Sequence, residues 1–277
     1  MRAAVLAGPG RVVVKERRAP EPGPGEVLVR IEGCGVCGSS LPLWEGRPWF
    51  DYPAEPGAPG HEVWGRAEDG RRVTGLSGNG FAELDLLRED ELVVLPPELD
   101  GTPFPGEALG CAVNVVRRAD VRTGQEVAVV GMGFLGTVVA RLCELRGAHV
   151  TPVRREDEPE AEFERVIEAA GTQAALDKAS RLVATGGLLA IAGFHQDGPR
   201  TVDLQSWNWR GIDVVNAHER DPRRSLAGMR EAVRLAASGE LDVSALVTHT
   251  FGLDEVERAF AAASRRGPGF LKAVVCP

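Results

Sequence analysis

The sequence predicts an α/β protein with two domains: a doubly wound parallel sheet, and a mainly β domain formed by both ends of the chain. Three observations support this prediction. The first hundred residues are short apolar runs bounded by Gly and Pro, strand and helix patterns alternate from Thr123 onward, and a G-x-G-x-x-G motif joins a strand to a helix. We place one domain at 1–111 with 218–277 and the other at 112–217.

The pattern of apolar and turn residues in the N-terminal region is typical of an all-β fold. Runs such as "RVVVKE", "EVLVRIEG" and "RRVTGL" are short, partly alternating and separated by turn residues. The last segment, "FLKAVVCP", is also strand-like, and we expect it to return to this domain.

The second half predicts about five parallel strands with helices between them. The helix after "GMGFLG" has an apolar stripe, which consists of Leu135, Val138, Val139, Leu142 and Leu145. Only about ten residues, 154–163, separate the second strand from the third, where a full sheet of this kind has a helix, a strand and another helix. We therefore expect the outer edge strand to be missing.

Composition excludes several classes of protein. The 277 residues have a net charge of −8 and no basic run with interleaved aromatics, so nucleic acid is not an expected partner. No apolar stretch approaches the roughly 20 residues that span a bilayer. Five cysteines argue against a disulfide framework, and the early Gly-Pro-Gly argues against a signal peptide. We expect a cytoplasmic protein.

The glycine motif is typical of a dinucleotide site. Gly131 permits a tight turn, Gly133 lets pyrophosphate approach the backbone, and Gly136 allows close packing of helix on strand. Phe134 and Leu135 complete the predicted phosphate-binding turn at the helix N-terminus. The alternative is a glycine-rich turn without a ligand.

The end of the second strand favours NADP(H), with NAD(H) as the alternative. An acidic residue there would bind the ribose hydroxyl of NAD, but the sequence has Arg154 and Arg155, which suit a 2′-phosphate. The competing interpretation is a solvated loop in which Glu156 and Asp157 neutralise the two arginines.

The order of motifs resembles a known family. "GCGVCGSS", "PGHEVWG", "GEALGC" and "VAVVGMGFLG" follow one another as in the zinc-containing alcohol and polyol dehydrogenases of the medium-chain dehydrogenase/reductase superfamily, and the match runs nearly end to end. The resemblance implies a GroES-like catalytic domain beside a shortened Rossmann domain. It also implies a small alcohol or carbonyl substrate. Family members are commonly dimers or tetramers, and of these we expect a homodimer.

In that family the matching residues bind one catalytic zinc. The resemblance assigns Cys37, His61 and Glu62 to the metal, with Glu107 as a further ligand. Cys111 lies four residues after Glu107, where a helix would point both side chains the same way, so it is a rival for that ligand position. Cys34 has no second cysteine pair to join, so we interpret it as structural. The four-cysteine lobe that binds a structural zinc in the family is absent from the sequence.

The resemblance also assigns a proton relay and a phosphate contact. Ser39 matches the family's relay hydroxyl, and Lys272 matches a basic residue that contacts the cofactor's phosphates. Two positions depart from the pattern. Ser40 replaces an Asp that orients the zinc-bound His, and Pro42 replaces a His that ends the relay. For Lys272 an exposed edge-strand lysine is the alternative.

Other functions stay open at this point. A zinc-free enoyl or quinone reductase shares the nucleotide half, and a non-catalytic nucleotide-binding relative would explain the two departures. His195 and His218 follow two strands of the nucleotide domain and are candidates for its ligand pocket, although we expect His195 to be exposed. The aromatic residues from Trp44 to Tyr52 form either a substrate wall or a satellite core.

Overall fold

The computed structural model describes residues 1–277, which divide into two compact units. The first unit comprises Met1–Ala108 and Met229–Pro277, and the second comprises Leu109–Gly228. No helix combines the length and the apolar character that crossing a membrane requires.

The first unit is mainly β. It contains a two-stranded antiparallel ribbon and a seven-stranded sheet with the order β13-β14-β3-β4-β5-β7, in which β6 also pairs with β3. Its strands are β1 (Arg2–Gly8), β2 (Arg11–Glu16), β3 (Glu26–Gly35), β4 (Glu62–Ala67), β5 (Arg72–Gly75), β6 (Leu84–Arg88), β7 (Leu92–Val94), β13 (Val247–Gly252) and β14 (Lys272–Cys276). Its helices are α1 (Leu41–Glu45) and α7 (Val256–Arg265). The C-terminal strand returns to this sheet, as expected.

The core of the first unit fixes the position of β3 and β4. Phe81, Leu87 and Phe260 are fully or almost fully buried between the sheet, the ribbon and α7. In the antiparallel pairing of β3 with β4, Gly35 lies opposite Glu62. A Cβ at Gly35 would come 1.8 Å from Oε2 of Glu62, so only glycine leaves room for that carboxylate.

The second unit is a parallel sheet of five strands with the order β12-β11-β10-β8-β9, as the sequence predicts. Its strands are β8 (Glu126–Val130), β9 (His149–Val153), β10 (Phe163–Glu168), β11 (Val183–Ile191) and β12 (Asp213–Asn216). Its helices are α3 (Phe134–Leu145), α4 (Gln173–Leu182) and α5 (Leu204–Arg210). Two longer helices, α2 (Gly106–Arg118) and α6 (Pro222–Ala237), connect the units along the chain.

The missing outer strand leaves β9 at one edge of the sheet. Residues 154–162 run from β9 to β10 on the far side of β8 without helix or strand, which is a short crossover for a parallel connection. Val138, Val139 and Leu142 of the predicted stripe bury that face of α3. The carboxyl ends of β8 and β9 therefore carry the glycine motif and the arginine pair.

Candidate functional site

Three predicted ligands converge in the first unit. Sγ of Cys37, an imidazole nitrogen of His61 and a carboxylate oxygen of Glu62 all lie within 4.8 Å of one another. Cys37 follows β3, and His61 and Glu62 stand at the start of β4, so the pairing of these two strands brings the ligand atoms together. Thiolate, imidazole and carboxylate are the donors that zinc prefers.

The backbone orients the imidazole of His61. Its Nδ1 lies 2.8 Å from the carbonyl oxygen of Pro59, which can only accept, so Nδ1 carries a proton and a neutral ring has its lone pair at Nε2. Ser40 donates to the same carbonyl at 3.5 Å. A backbone carbonyl at Nδ1 can orient the imidazole, as hydrogen-bond partners of metal-bound histidines do.

Ser39 lies among the ligand atoms. Its Oγ is 3.2 Å from Sγ of Cys37 and 3.4 Å from Nε2 of His61. A hydroxyl can both donate and accept, so this position suits transfer of a proton at Oγ.

Glu62 is fully buried, and its two oxygens have different surroundings. Oε1 lies 2.7 Å from Nζ of Lys272, whereas Oε2 is buried and has no hydrogen-bond partner. Buried oxygens without a partner are rare in folded proteins. Lys272 is only 4% exposed, so it is not the exposed edge-strand lysine that we considered.

The cluster favours positive charge. Burial lowers the pKa of His61, but the neighbouring Cys37, together with Glu107 and Glu62, outweighs this effect and raises the pKa to about 10. Burial likewise lowers the pKa of Lys272, and the charges of Glu62, Cys37 and Glu107 raise it above its ordinary value. Such a surplus of negative groups is what a bound cation requires.

Glu107, Cys111 and Cys34 differ in exposure. Glu107, in the first turn of α2, is half-buried and close enough for its charge to act on His61. Cys111, one turn later, is exposed. Cys34 is buried within β3, where burial raises the pKa of its thiol well above the ordinary value, as expected of a structural cysteine.

Most of the aromatic residues after Cys37 pack on the core. Trp44 stacks on Phe260 with ring centroids 5.4 Å apart, and Phe50 and Tyr52 pack against the same cluster. Trp49 is the exception, at 58% exposed. The satellite-core interpretation therefore fits three of the four.

In the second unit each glycine of the motif has a distinct geometric role. Gly131 has a φ of +102°, which favours glycine, and a Cβ at Gly136 would come 1.9 Å from the Gly131 carbonyl oxygen. A Cβ at Gly133 would meet nothing within 4 Å, so this side of the turn is open. No side chain caps the N-terminus of α3, where Phe134 and Leu135 begin the first turn. Helix N-termini of this kind bind phosphate.

The arginine pair lies exposed after β9. The side chains of Arg154 and Arg155 form no ion pair within the chain. Asp157 instead accepts a hydrogen bond from the backbone N–H of Arg154 at 2.7 Å. The predicted neutralisation of the arginines by Glu156 and Asp157 is therefore not observed.

A pocket of about 430 Å³ opens at the carboxyl ends of β11 and β12, with His195 and His218 in its wall. His218 lies 3.2 Å from the carbonyl of Gly193. His195 is not exposed, contrary to expectation, because Arg200 donates to its Nδ1 at 2.7 Å and its Nε2 donates to Glu168 at 3.1 Å.

Sequence patterns missed Glu168 and the Pro59 carbonyl. Glu168 is fully buried at the end of β10, and Oε1 accepts the backbone N–H groups of Ala170 and Gly171. The acidic residue that ends an apolar strand in "FERVIE" is the only trace of this role in the sequence.

Comparison with known proteins agrees with this geometry. Residues 23–80 match the alcohol dehydrogenase GroES-like domain. The chain is 27% identical to an L-threonine 3-dehydrogenase from Ruegeria pomeroyi, over 88% of this chain and 90% of that protein. It is also 27% identical, over 96% and 86%, to a protein of Mycobacterium tuberculosis named as a probable zinc-binding alcohol dehydrogenase.

The fold is shared with a solved structure from Sinorhizobium meliloti 1021. That protein is classed as a zinc-binding dehydrogenase, and its structure contains NADP. The TM-score is 0.84 at 23% identity, and the superposition covers 100% of this chain and 99% of that one.

Proposed function

We propose that this chain is a zinc-containing alcohol or polyol dehydrogenase of the medium-chain dehydrogenase/reductase superfamily. It would transfer hydride between NADP(H) and a small alcohol or carbonyl substrate. The observation that supports this function best is the convergence of Cys37, His61 and Glu62 around a buried carboxylate oxygen without a partner. A zinc-free reductase has no use for that donor set.

The proposed metal site holds one catalytic zinc per chain. Cys37, His61 and Glu62 would bind it, with Glu107 as a further ligand in preference to the exposed Cys111. When bound, zinc supplies a Lewis acid that polarises the substrate's oxygen. The unpartnered Oε2 of Glu62 and the lone pair at Nε2 of His61 are both suited to a metal ligand.

The chain's own residues supply orientation and proton transfer. The Pro59 carbonyl would hold His61 in the tautomer that a metal ligand needs. The replacement of the family's orienting Asp by Ser40 therefore need not prevent catalysis. Ser39 would relay the proton of an alcohol: Oγ would accept that proton while its own hydroxyl proton passes to water, and the reverse reaction would run the same transfers backwards. Pro42, which is buried in α1, has no proton to pass on.

The proposed cofactor is NADP(H). The uncapped N-terminus of α3 and the open side of Gly133 would receive the pyrophosphate. Arg154 and Arg155 would pair with the 2′-phosphate, because their guanidinium groups are exposed and not paired with the loop's acids. Hydride chemistry belongs to the cofactor, and the protein supplies its position.

We further propose a homodimer formed through the β12 edge of the sheet. β12 is an edge strand whose Val214 is 38% exposed, and Trp209 of the preceding helix α5 is 90% exposed. An exposed apolar edge strand is a template for pairing with another chain. A second copy of this edge has the same character, so a two-fold interface would cover both.

The proposed function is tested by following NADPH formation with a panel of small primary and secondary alcohols and polyols. At least one alcohol should be oxidised by the wild type, and Cys37→Ser should abolish that activity while the exposed Cys111→Ser retains it. Reduction of enones by metal-free protein would support a quinone-type reductase instead. NADPH binding without turnover of any substrate would support a non-catalytic relative.

A further inference from the structure

Lys178 is a buried lysine that the proposed function does not use. It lies on α4 and is 7% exposed. Lysines are almost never fully buried unless their charge is paired, because the ammonium group loses its hydration. The contacts of this ammonium group therefore indicate what it does.

The ammonium group binds the loop that follows β9. Nζ donates to the backbone carbonyls of Arg154 at 3.4 Å, Arg155 at 2.8 Å and Asp157, and it pairs with the carboxylate of Glu158 at 3.1 Å. We call residues 154–158 the arginine loop. Three of its five carbonyls are thus held by one side chain from another element.

These contacts fix the backbone of the arginine loop and leave its cationic side chains outside. Arg154 and Arg155 are exposed, while their carbonyls are bound to the buried ammonium. The bond from the Arg154 N–H to Asp157 tightens the same turn. The loop belongs to a crossover without helix or strand, so no regular hydrogen bonding holds it otherwise.

We propose that Lys178 is a positioning residue for NADP recognition, which holds the arginine loop so that Arg154 and Arg155 can bind the 2′-phosphate. This inference rests on the proposed preference for NADP. A loop that is already ordered loses less conformational entropy when the phosphate binds, so its affinity for the phosphate is higher. Lys178 itself touches carbonyls and no ligand.

The test compares adenosine 2′,5′-bisphosphate with AMP by titration calorimetry on the full-length protein. The wild type should bind the bisphosphate at least about tenfold more tightly, as expected for a phosphate with two guanidinium partners. In Lys178→Met the ratio of the two affinities, bisphosphate to AMP, should fall to about two or less, while the affinity for AMP stays unchanged. Unchanged AMP binding shows that the fold is intact.

Arg181→Met is the matched control for charge. Arg181 lies on the same helix, 3.7 Å from Glu158 with its side chain 64% exposed, whereas the carbonyl contacts are all made by Lys178. Its loss should leave the ratio unchanged. If Lys178→Met keeps the wild-type ratio, or if Arg181→Met lowers it equally, the positioning role is wrong.

A second variant and the wild type itself complete the test. If Lys178→Met does not fold, Lys178→Gln is measured in its place. Its preference for the bisphosphate over AMP should fall in the same way, because the neutral amide is too short to reach three carbonyls. A wild type that binds the two nucleotides equally would overturn the NADP proposal and the role of Lys178 together. That result is visible before any variant is measured, so the two failures are distinguishable.

Discussion

Nζ of Lys272 lies 2.7 Å from Oε1 of Glu62, and both residues are buried, at 4% and 0% exposed. The two residues are far apart in the sequence and meet because β14 joins the sheet beside β3. This ion pair stands at the edge of the proposed zinc ligands. It neutralises one oxygen of Glu62 and leaves the other without a partner.

Removal of one member of this pair should be strongly destabilising. Lys272→Met leaves the Glu62 charge buried and unpaired, which costs about 3–5 kcal/mol in comparable cases. The measurement is urea unfolding of protein treated with a chelator, so that no metal compensates the charge. Lys15→Met, at an exposed lysine of β2, should have no effect.

The double variant separates charge from packing. Lys272→Met with Glu62→Gln should recover much of the lost stability, because no buried charge remains. A loss below about 1 kcal/mol in Lys272→Met, or no recovery in the double variant, would contradict a tightly coupled pair.

The arginine pair should determine which nicotinamide cofactor is preferred. Arg154→Ala with Arg155→Ala should weaken NADPH binding by about tenfold or more and change NADH binding by no more than about twofold. Dissociation constants from quenching of protein fluorescence measure both. Arg223→Ala, at an exposed arginine of α6, is the control. Equal losses for the two cofactors would mean that the pair does not read the 2′-phosphate.

Two glycines of the motif should respond differently to alanine. Gly133→Ala places a methyl group in open space, so stability should be unchanged while NADPH affinity falls by about tenfold, because the phosphates approach there. Gly136→Ala forces a Cβ to within 1.9 Å of the Gly131 carbonyl, so it should lower stability by about 1–3 kcal/mol. Thermal unfolding and NADPH titration of both variants check this. A stable Gly136→Ala protein would contradict the close packing of α3 on β8.

The β12 edge should control oligomeric state. Light scattering should give twice the chain mass of 29.5 kDa for the wild type and a single chain mass for Val214→Lys with Trp209→Asp. Trp49→Asp removes another exposed tryptophan, from the first unit, and should leave the dimer intact. A monomeric wild type would contradict the proposed homodimer.

Local pattern was sufficient for much of the fold. The five strands of the second unit are predictable because each is a short apolar run bounded by turn residues. The short crossover after Val153 predicts that the outer edge strand is missing. The arginines were found because they follow β9 directly.

Contacts between distant residues and the backbone were not predictable in this way. The carbonyl of Pro59 orients His61, and Lys178 binds carbonyls more than twenty residues away. Every residue has a backbone carbonyl, so residue identity does not show which of them bind a side chain. The burial of Lys272 was not predicted, for a related reason. Its partner, Glu62, is 210 residues away, so nothing near "FLKAVV" indicates that the lysine is buried.

The most direct test of the central claim is the zinc content of protein purified without added metal, measured by elemental mass spectrometry. We predict about one zinc per chain, since the proposed catalytic site is the only one in the sequence with this donor set. Cys37→Ser should lose the metal, Glu107→Gln should bind it more weakly, and Cys111→Ser should keep it. Wild-type protein that contains no zinc and takes none up when it is added would contradict the account.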